Sequence, residues 1–393
     1  MIAIPEIYSY AAYLECARCK NAYPVTNVQS YATCCNQPLV VKYDYPAGFY
    51  KEDLVFRENN MWRYFEMMPV LERKNIVSLG EGMTPMLSLD KSAALHGFSD
   101  ILMKDESFNP TGSFKARGLS AAISKAKELG VENCIVPTAG NAGGAMAAYC
   151  ARAGMHSTVV MPRHTPDIFK QECEMYGAEL ILIDGLINDC AKKVAALNQD
   201  GKYYDVSTLK EPYRLEGKKT MGYEIAEQLN WQLPDVIIYP TGGGTGLIGI
   251  WKAFKEMIAM GWITEARLPK MIAVQSQQCA PVVRAFYNND GWKEGFTPQP
   301  TLANGLAVPY PFGMDMMQEV LQESGGMAYA VSEEEIVQGV KELARTEGIL
   351  VAPEGAAVWK ALLHLRRMKV INSADKIVLL NTGSGYKYLE NLC

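Results

Sequence analysis

From residue 100 onward the chain alternates between short aliphatic or β-branched runs and longer segments whose apolar residues recur at helical spacing. The runs are "CIVPTAG", "STVVMP", "AELILID", "DVIIYPTGGG", "MIAVQS" and "KIVLLNTGSG"; "AGGAMAAYCARAG" and "SEEEIVQGVKELARTEG" are two of the helical segments. Continuous apolar runs of this length predict strands buried on both faces, and their alternation with helices predicts a parallel sheet covered on both sides. Three runs end in glycine-rich turns, "PTAGNAGG", "PTGGGTG" and "NTGSG". Ligands of open α/β sheets bind at the carboxyl ends of strands, so the three turns predict one shared small-molecule site.

Residues 1–45 read as a separate module with four cysteines in twenty residues. Cys16-x-x-Cys19 opens like a zinc knuckle and "CNQPL" resembles the close of one, but Ala32 stands where a regular second half places a cysteine, and Cys34 and Cys35 are adjacent instead. This spacing reads as a metal-free relic of a ribbon, so no metal ligand is assigned and a structural zinc is not expected. Two helical stretches follow, then the polar turn "SLGEGMTP", Ser78 to Pro85.

The chain has 393 residues, enough for two domains, with 49% hydrophobic and 21% charged residues. A net charge of −5 gives no electrostatic reason to expect nucleic acid or an anionic membrane as partner. No apolar run approaches the roughly 18 residues that cross a bilayer. The start lacks a basic leader before an apolar core, and most of the ten cysteines are scattered singly, so a cytoplasmic location with reduced thiols is expected.

Three stretches carry chemistry. In "YPTGGGTGLIGIWKAF" a strand runs through Gly242, Gly243, Gly244, Thr245 and Gly246 into an apolar helix, leaving backbone N–H groups open to a phosphate. It lacks the Gly-Lys-Ser/Thr of a Walker loop and the acidic partner of a dinucleotide fingerprint, and a plain strand-to-helix link is the alternative. In "PTAGNAGG", Thr138, Gly140 and Asn141 open a small-residue helix whose first N–H groups suit a carboxylate; Asn141 is a directional polar group or simply a helix cap. In "FNPTGSFKARG", Lys115 sits among small and hydroxylated residues with no charge between Glu106 and itself. Buried near a phosphate, its amine can act as nucleophile or base; on its own it would read as a solvated charge.

Together these stretches resemble pyridoxal-phosphate enzymes of fold type II, the tryptophan synthase β-like family, with the threonine synthase group the nearest likeness. "NPTGSFKARG" is similar to the cofactor-lysine motif, "SLGEGMTP" to the segment upstream of it and "TAGN" to the Ser/Thr-x-Gly-Asn loop. "PTGGGTG" is similar to the phosphate loop, "TGSGYK" to the pyridine-binding turn and "EPYRLEGKKT" to a segment of the substrate-phosphate site. The resemblance implies two doubly wound parallel-sheet domains with a small Cys-containing N-terminal extension and the cofactor in the cleft between them. It implies residues 46–118 and 211–393 as the large cofactor-binding domain, 119–210 as the small domain, and a homodimer.

The same resemblance makes Lys115 the residue that bonds pyridoxal 5'-phosphate and shuttles protons. It gives Gly242, Gly243, Gly244, Thr245 and Gly246 the cofactor phosphate, Asn141 the ring hydroxyl, and Thr382 the pyridine nitrogen with Ser384 close by. Thr138, Gly140 and Arg214 are the implied substrate contacts. A hydroxyl at the ring nitrogen leaves a moderate electron sink, suited to elimination and replacement rather than transamination.

The substrate segment departs from the family pattern. Ala116 stands for an aspartate, Ala142 for a hydroxyl residue, and Thr208-Leu209-Lys210-Glu211 for an Asn-Ser-x-Asn run, whereas Arg214 matches. Two activities follow: conversion of O-phosphohomoserine and water to threonine and phosphate, or β-elimination or β-replacement on serine, threonine or O-phosphoserine. A non-catalytic binding protein is a third reading, which the combination of Lys115, Asn141, the phosphate loop and Thr382 argues against. The alternative for Arg214 is a structural salt bridge to Glu211 or Glu216.

Overall fold

The computed structural model describes residues 9–45, 48–265 and 268–392. In chain order the strands are β1 (Ala11–Cys16), β2 (Ala22–Pro24), β3 (Leu39–Tyr43), β4 (Met86–Ser88), β5 (Asp100–Asp105), β6 (Asn133–Pro137) and β7 (His156–Pro162). They continue with β8 (Glu179–Ile183), β9 (Tyr204–Asp205), β10 (Val236–Pro240), β11 (Lys270–Ser276), β12 (Met327–Val331) and β13 (Lys376–Asn381). Two compact units result: Met1–Met83, Lys115–Thr220 and Ala259–Trp262 form the first, and Thr84–Phe114, Met221–Ile258 and Ile263–Cys393 the second.

The first unit holds a parallel sheet of order β8-β7-β6-β9 and a small antiparallel sheet of order β2-β1-β3. Residues 119–210, the expected small domain, fall within it, and so do residues 48–83, which the sequence placed with the larger domain. The cysteine-containing sheet is tied into this unit: Tyr10 N donates to Glu66 O (2.9 Å), and the Tyr43 hydroxyl donates to Glu216 Oε2 (2.8 Å).

The second unit is built on a six-stranded sheet of order β12-β11-β10-β13-β5-β4. Its strands pair in parallel except for the β4 edge, which is antiparallel to β5. Every residue of β10, "VIIYP", is buried, as its place between β11 and β13 demands, and β-branched side chains fill such a two-sided layer well. Burying each of these aliphatic side chains contributes about 1.5–3 kcal/mol. The expected α/β architecture is therefore present.

Candidate active site

Lys115 is the first residue of the helix Lys115–Glu128. The segment leading to it is anchored on the strand end beyond β13: Phe114 N donates to Thr382 O (3.1 Å), Ser384 N donates to Gly112 O (2.9 Å), and Ser113 bridges Gly383. These backbone bonds fix the chain immediately before the lysine, so the position of its Cα is not left to a mobile loop.

Behind Lys115 lies the helix Tyr213–Gln228, which carries Arg214 and Lys218. The two helices approach so closely that a Cβ on Gly217 would stand 2.0 Å from Arg117 O. Arg214 and Lys218 are both buried. Arg214 Nη1 donates to Val206 O (2.6 Å), while its Nε and Nη2 have no partner. Burial, with the charges of Lys115 and Arg214 added, holds the Lys218 ammonium well below the usual lysine range. The Lys115 helix also packs on Lys218 itself, since a Cβ on Gly118 would stand 3.0 Å from Lys218 Cε, so the sequence-predicted lysine starts a helix that lies against the buried Lys218 and Arg214.

Glu211 is not the ion-pair partner of Arg214. Its carboxyl group accepts the backbone N–H of Tyr213 (2.7 Å) and of Arg214 (2.9 Å), capping the start of that helix. Burial pushes it up to about 7, opposed by the Arg214 charge. Glu216 is engaged elsewhere, by Lys219 Nζ at 2.7 Å and by Tyr43. The unpartnered donors of Arg214 are therefore not absorbed by a structural salt bridge.

Also in the first unit, Thr138 and Gly140 form the turn before the helix Asn141–Ala153: Gly140 N donates to Thr138 Oγ1 (3.2 Å). Gly140 is the N-cap residue and no side chain caps this helix. Asn141 Oδ1 is buried without a partner, so the asparagine is not the cap that the simpler sequence reading allowed. In the second unit, Gly242, Gly243 and Gly244 follow β10, and Thr245 and Gly246 begin the helix Thr245–Ala259. Gly244 has φ +84°, and a Cβ there would stand 2.3 Å from Met317 Sδ, so the turn demands glycine. Thr382 is buried at the carboxyl end of β13, and the Ser384 hydroxyl accepts Tyr386 N (3.3 Å) as a local cap.

Residues 77–383 match the family described as pyridoxal-phosphate dependent enzymes. The chain is 36% identical over 377 residues to threonine synthase of Methanocaldococcus jannaschii, covering 95% of this chain and 92% of the relative. It is 34% identical to threonine synthase of Methanosarcina acetivorans, covering 94% and 91%. The chain belongs to the pyridoxal-phosphate dependent enzymes, as a threonine synthase-like member. Among solved structures, threonine deaminase isoform 2 from Solanum lycopersicum superposes with a TM-score of 0.65 at 19% identity, covering 91% of this chain and 96% of that one. Maize serine racemase superposes with a TM-score of 0.64 at 21% identity, covering 78% and 93%. At these identities the likeness establishes the fold, which is fold type II.

This threonine synthase-like chain is a pyridoxal-phosphate-dependent lyase, and its residues suit that group. The orphaned Asn141 amide is a polar atom in need of a ligand, and a glycine turn at a helix N-terminus suits a phosphate. No helix among the described residues is long and apolar enough to cross a membrane.

Sequence reasoning missed Glu81 of "SLGEGMTP". It is fully buried and accepts from Trp62 Nε1 (2.9 Å), the Tyr149 hydroxyl (2.7 Å), Leu79 N (2.9 Å) and the Ser120 hydroxyl. Ser120 lies on the helix that Lys115 starts, and Tyr149 on the helix that Asn141 starts, so one carboxyl group orients both. Burial and the Glu81 charge push the Tyr149 hydroxyl up, keeping it a donor. Glu81→Ala leaves the Tyr149 hydroxyl and Leu79 N without an acceptor, whereas Trp62 Nε1 keeps Ser120 Oγ (3.1 Å) and the Ser120 hydroxyl keeps Val77 O (2.8 Å). It is expected to cost several kcal/mol at about 1–3 kcal/mol for each group left unsatisfied. Urea unfolding measures this; a loss below about 1 kcal/mol would contradict the role.

Proposed function

We propose that the chain converts O-phosphohomoserine and water to threonine and phosphate. The observation that carries this reading is the buried Arg214, whose Nε and Nη2 lack partners, beside the buried Lys218. Buried donors left without a partner are costly. A substrate phosphate would satisfy both donors bidentately; serine and threonine carry no such group. The threonine synthase relatives support the same choice.

In this reading Gly242, Gly243, Gly244, Thr245 and Gly246 hold the cofactor phosphate, Asn141 the ring hydroxyl and Thr382 the ring nitrogen, with Lys115 bonded to the cofactor before substrate arrives. Pyridoxal phosphate, when bound, supplies an electron sink for the charge left when a proton leaves the substrate α-carbon. Thr138 and Gly140, at the start of the Asn141–Ala153 helix, orient the substrate carboxylate. Lys115 Nζ takes the α-proton and serves as the acid–base group for the later transfers. Loss of a β-proton then supplies the electron pair that expels the phosphate as the γ-carbon–oxygen bond breaks, with Arg214 and Lys218 holding the phosphate in place. One proton goes to the γ-carbon, water adds its hydroxyl at the β-carbon, one proton returns to the α-carbon and the remaining one goes to the phosphate, so that one water is consumed and one phosphate released.

Glu211 is the observation that favours β-elimination or β-replacement, because a carboxylate beside Arg214 opposes a phosphate. Its two backbone bonds and its displacement to about 7 blunt that objection, since it is largely uncharged below neutrality. As pH rises through about 7 the carboxyl group ionises and weakens phosphate binding. The ratio of the wild-type KM to that of Glu211→Gln, measured on a phosphorylated substrate, is therefore expected to rise with pH across this range. A pH-independent ratio would contradict it.

The function is tested by offering the purified enzyme phosphohomoserine, phosphoserine, threonine and serine, and assaying phosphate, 2-oxo acid and new amino acids. Equal amounts of threonine and phosphate from phosphohomoserine are expected. Dominant 2-oxo acid from serine or threonine would replace the reading with β-elimination.

A further inference from the structure

We propose that Cys16, Cys19, Cys34 and Cys35 form a tetrathiolate site for one zinc ion that fastens the N-terminal ribbon. The four sulfur atoms lie within 4.8 Å of one another, and Cys19 Sγ stands 3.2 Å from Cys34 Sγ. Four thiolates around a zinc at about 2.3 Å place their sulfurs roughly 3.8 Å apart in a tetrahedron, so the cluster has the size that the ion requires. A disulfide would need about 2.05 Å, and the described cysteines are all free.

The backbone explains how an irregular spacing reaches this arrangement. Cys16 ends β1, and Lys20 closes the first turn with its N donating to Cys16 O (3.1 Å) at φ +65°. Cys16 N donates to Asn21 O (2.9 Å) and Ala17 N donates to Pro38 O (2.9 Å), which brings the second turn alongside. In that turn Ala32 is buried and bridges Gln37, with Asn36 at φ +49°. The position where a regular knuckle has a cysteine is thus used for pairing, and the two adjacent thiols of Cys34 and Cys35 supply the second half of the ligand set.

Chemistry selects the ion. Soft thiolates with no carboxylate or imidazole among them favour zinc over magnesium or calcium, and four protein ligands make a closed, structural site. The ribbon is a three-stranded sheet whose β2 has three residues, and units this small usually draw stability from a metal or from disulfides. The ribbon then braces the cationic helix. Tyr204 on β9 donates to Gln29 O (3.3 Å) between the two turns, and Tyr43 on β3 meets Glu216 and lies 3.8 Å from Lys219 Nζ.

The full-length protein, dialysed and measured by inductively coupled plasma mass spectrometry, is expected to hold about one zinc per chain. Cobalt exchanged into the site should give the intense near-ultraviolet thiolate charge-transfer band of tetrahedral cobalt. Cys19→Ser and Cys34→Ser change exposed side chains, and each should lower zinc content at least about tenfold while circular dichroism of the remaining fold is kept. Zinc-free wild-type protein, a Cys19–Cys34 disulfide found by peptide mapping, or full zinc content in the double variant would overturn the proposal. None of these readouts depends on enzymatic activity.

Discussion

Lys115→Ala is expected to abolish turnover, with a loss on the order of 10⁴-fold or more, because one change removes both the cofactor's covalent anchor and the acid–base group. The folded chain should survive. Lys115 lies on the first turn of its helix, and the segment before it is held by backbone pairing of Gly112, Ser113 and Phe114 with Ser384, Gly383 and Thr382, which the substitution leaves alone. Borohydride reduction of the wild-type holoenzyme followed by peptide mapping should place the cofactor on Lys115, and circular dichroism should be unchanged in the variant. Lys218 is the informative competitor, since burial keeps its amine well below the ordinary lysine range and so makes it nucleophilic. Label on Lys218, or on both lysines, would refute the assignment.

Arg214→Ala is expected to raise the KM for a phosphorylated substrate by about tenfold to a hundredfold or more, the equivalent of one or two charge-assisted hydrogen bonds at roughly 1.5–3 kcal/mol each. Turnover of serine or threonine, if any, should not change. The same variant has a second signature. Removing one member of a paired buried arginine costs about 3–5 kcal/mol, but Arg214 keeps Nε and Nη2 unpartnered, so the substrate-free variant should lose much less. Unchanged KM together with a large loss of stability would make Arg214 a structural residue after all.

How far the sequence carried this account depends on the kind of signal. The strands of "DVIIYPTGGG" and "KIVLLNTGSG" were legible because central strands buried on both faces must be continuously apolar. Strand β5, "DILMKD", escaped because its charges are buried rather than exposed. Lys104 pairs with Glu224 at 2.8 Å and also meets Gln228, and Asp105 accepts from Asn381 Nδ2 (2.7 Å). Those partners lie more than a hundred residues away, where no local pattern reveals them. Lys115 stood out in the sequence for the opposite reason, as a lysine in a turn of small and hydroxylated residues with no other charge back to Glu106, and it is the first residue of its helix.

Glu81 shows a different limit. A glutamate between two glycines looks like a surface turn, and only the fold brings Trp62, Ser120 and Tyr149 to it. Lys218 was noted only as lying near Arg214, since the desolvation that sets its chemistry is a property of packing. The adjacent Cys34 and Cys35 depart from a spacing of two residues between ligands, and only the fold shows that all four thiols gather within 4.8 Å of one another.

The central claim is that the enzyme breaks a carbon–oxygen bond of a phosphorylated amino acid and builds a new one with water. Turnover of O-phosphohomoserine in water enriched in oxygen-18, read by mass spectrometry of both products, tests this directly. The account predicts one labelled oxygen in threonine, on the β-carbon, and none in the released phosphate. Label in the phosphate would mean phosphorus–oxygen cleavage, and an unlabelled or absent threonine would mean that water is not the nucleophile; either result would contradict the account.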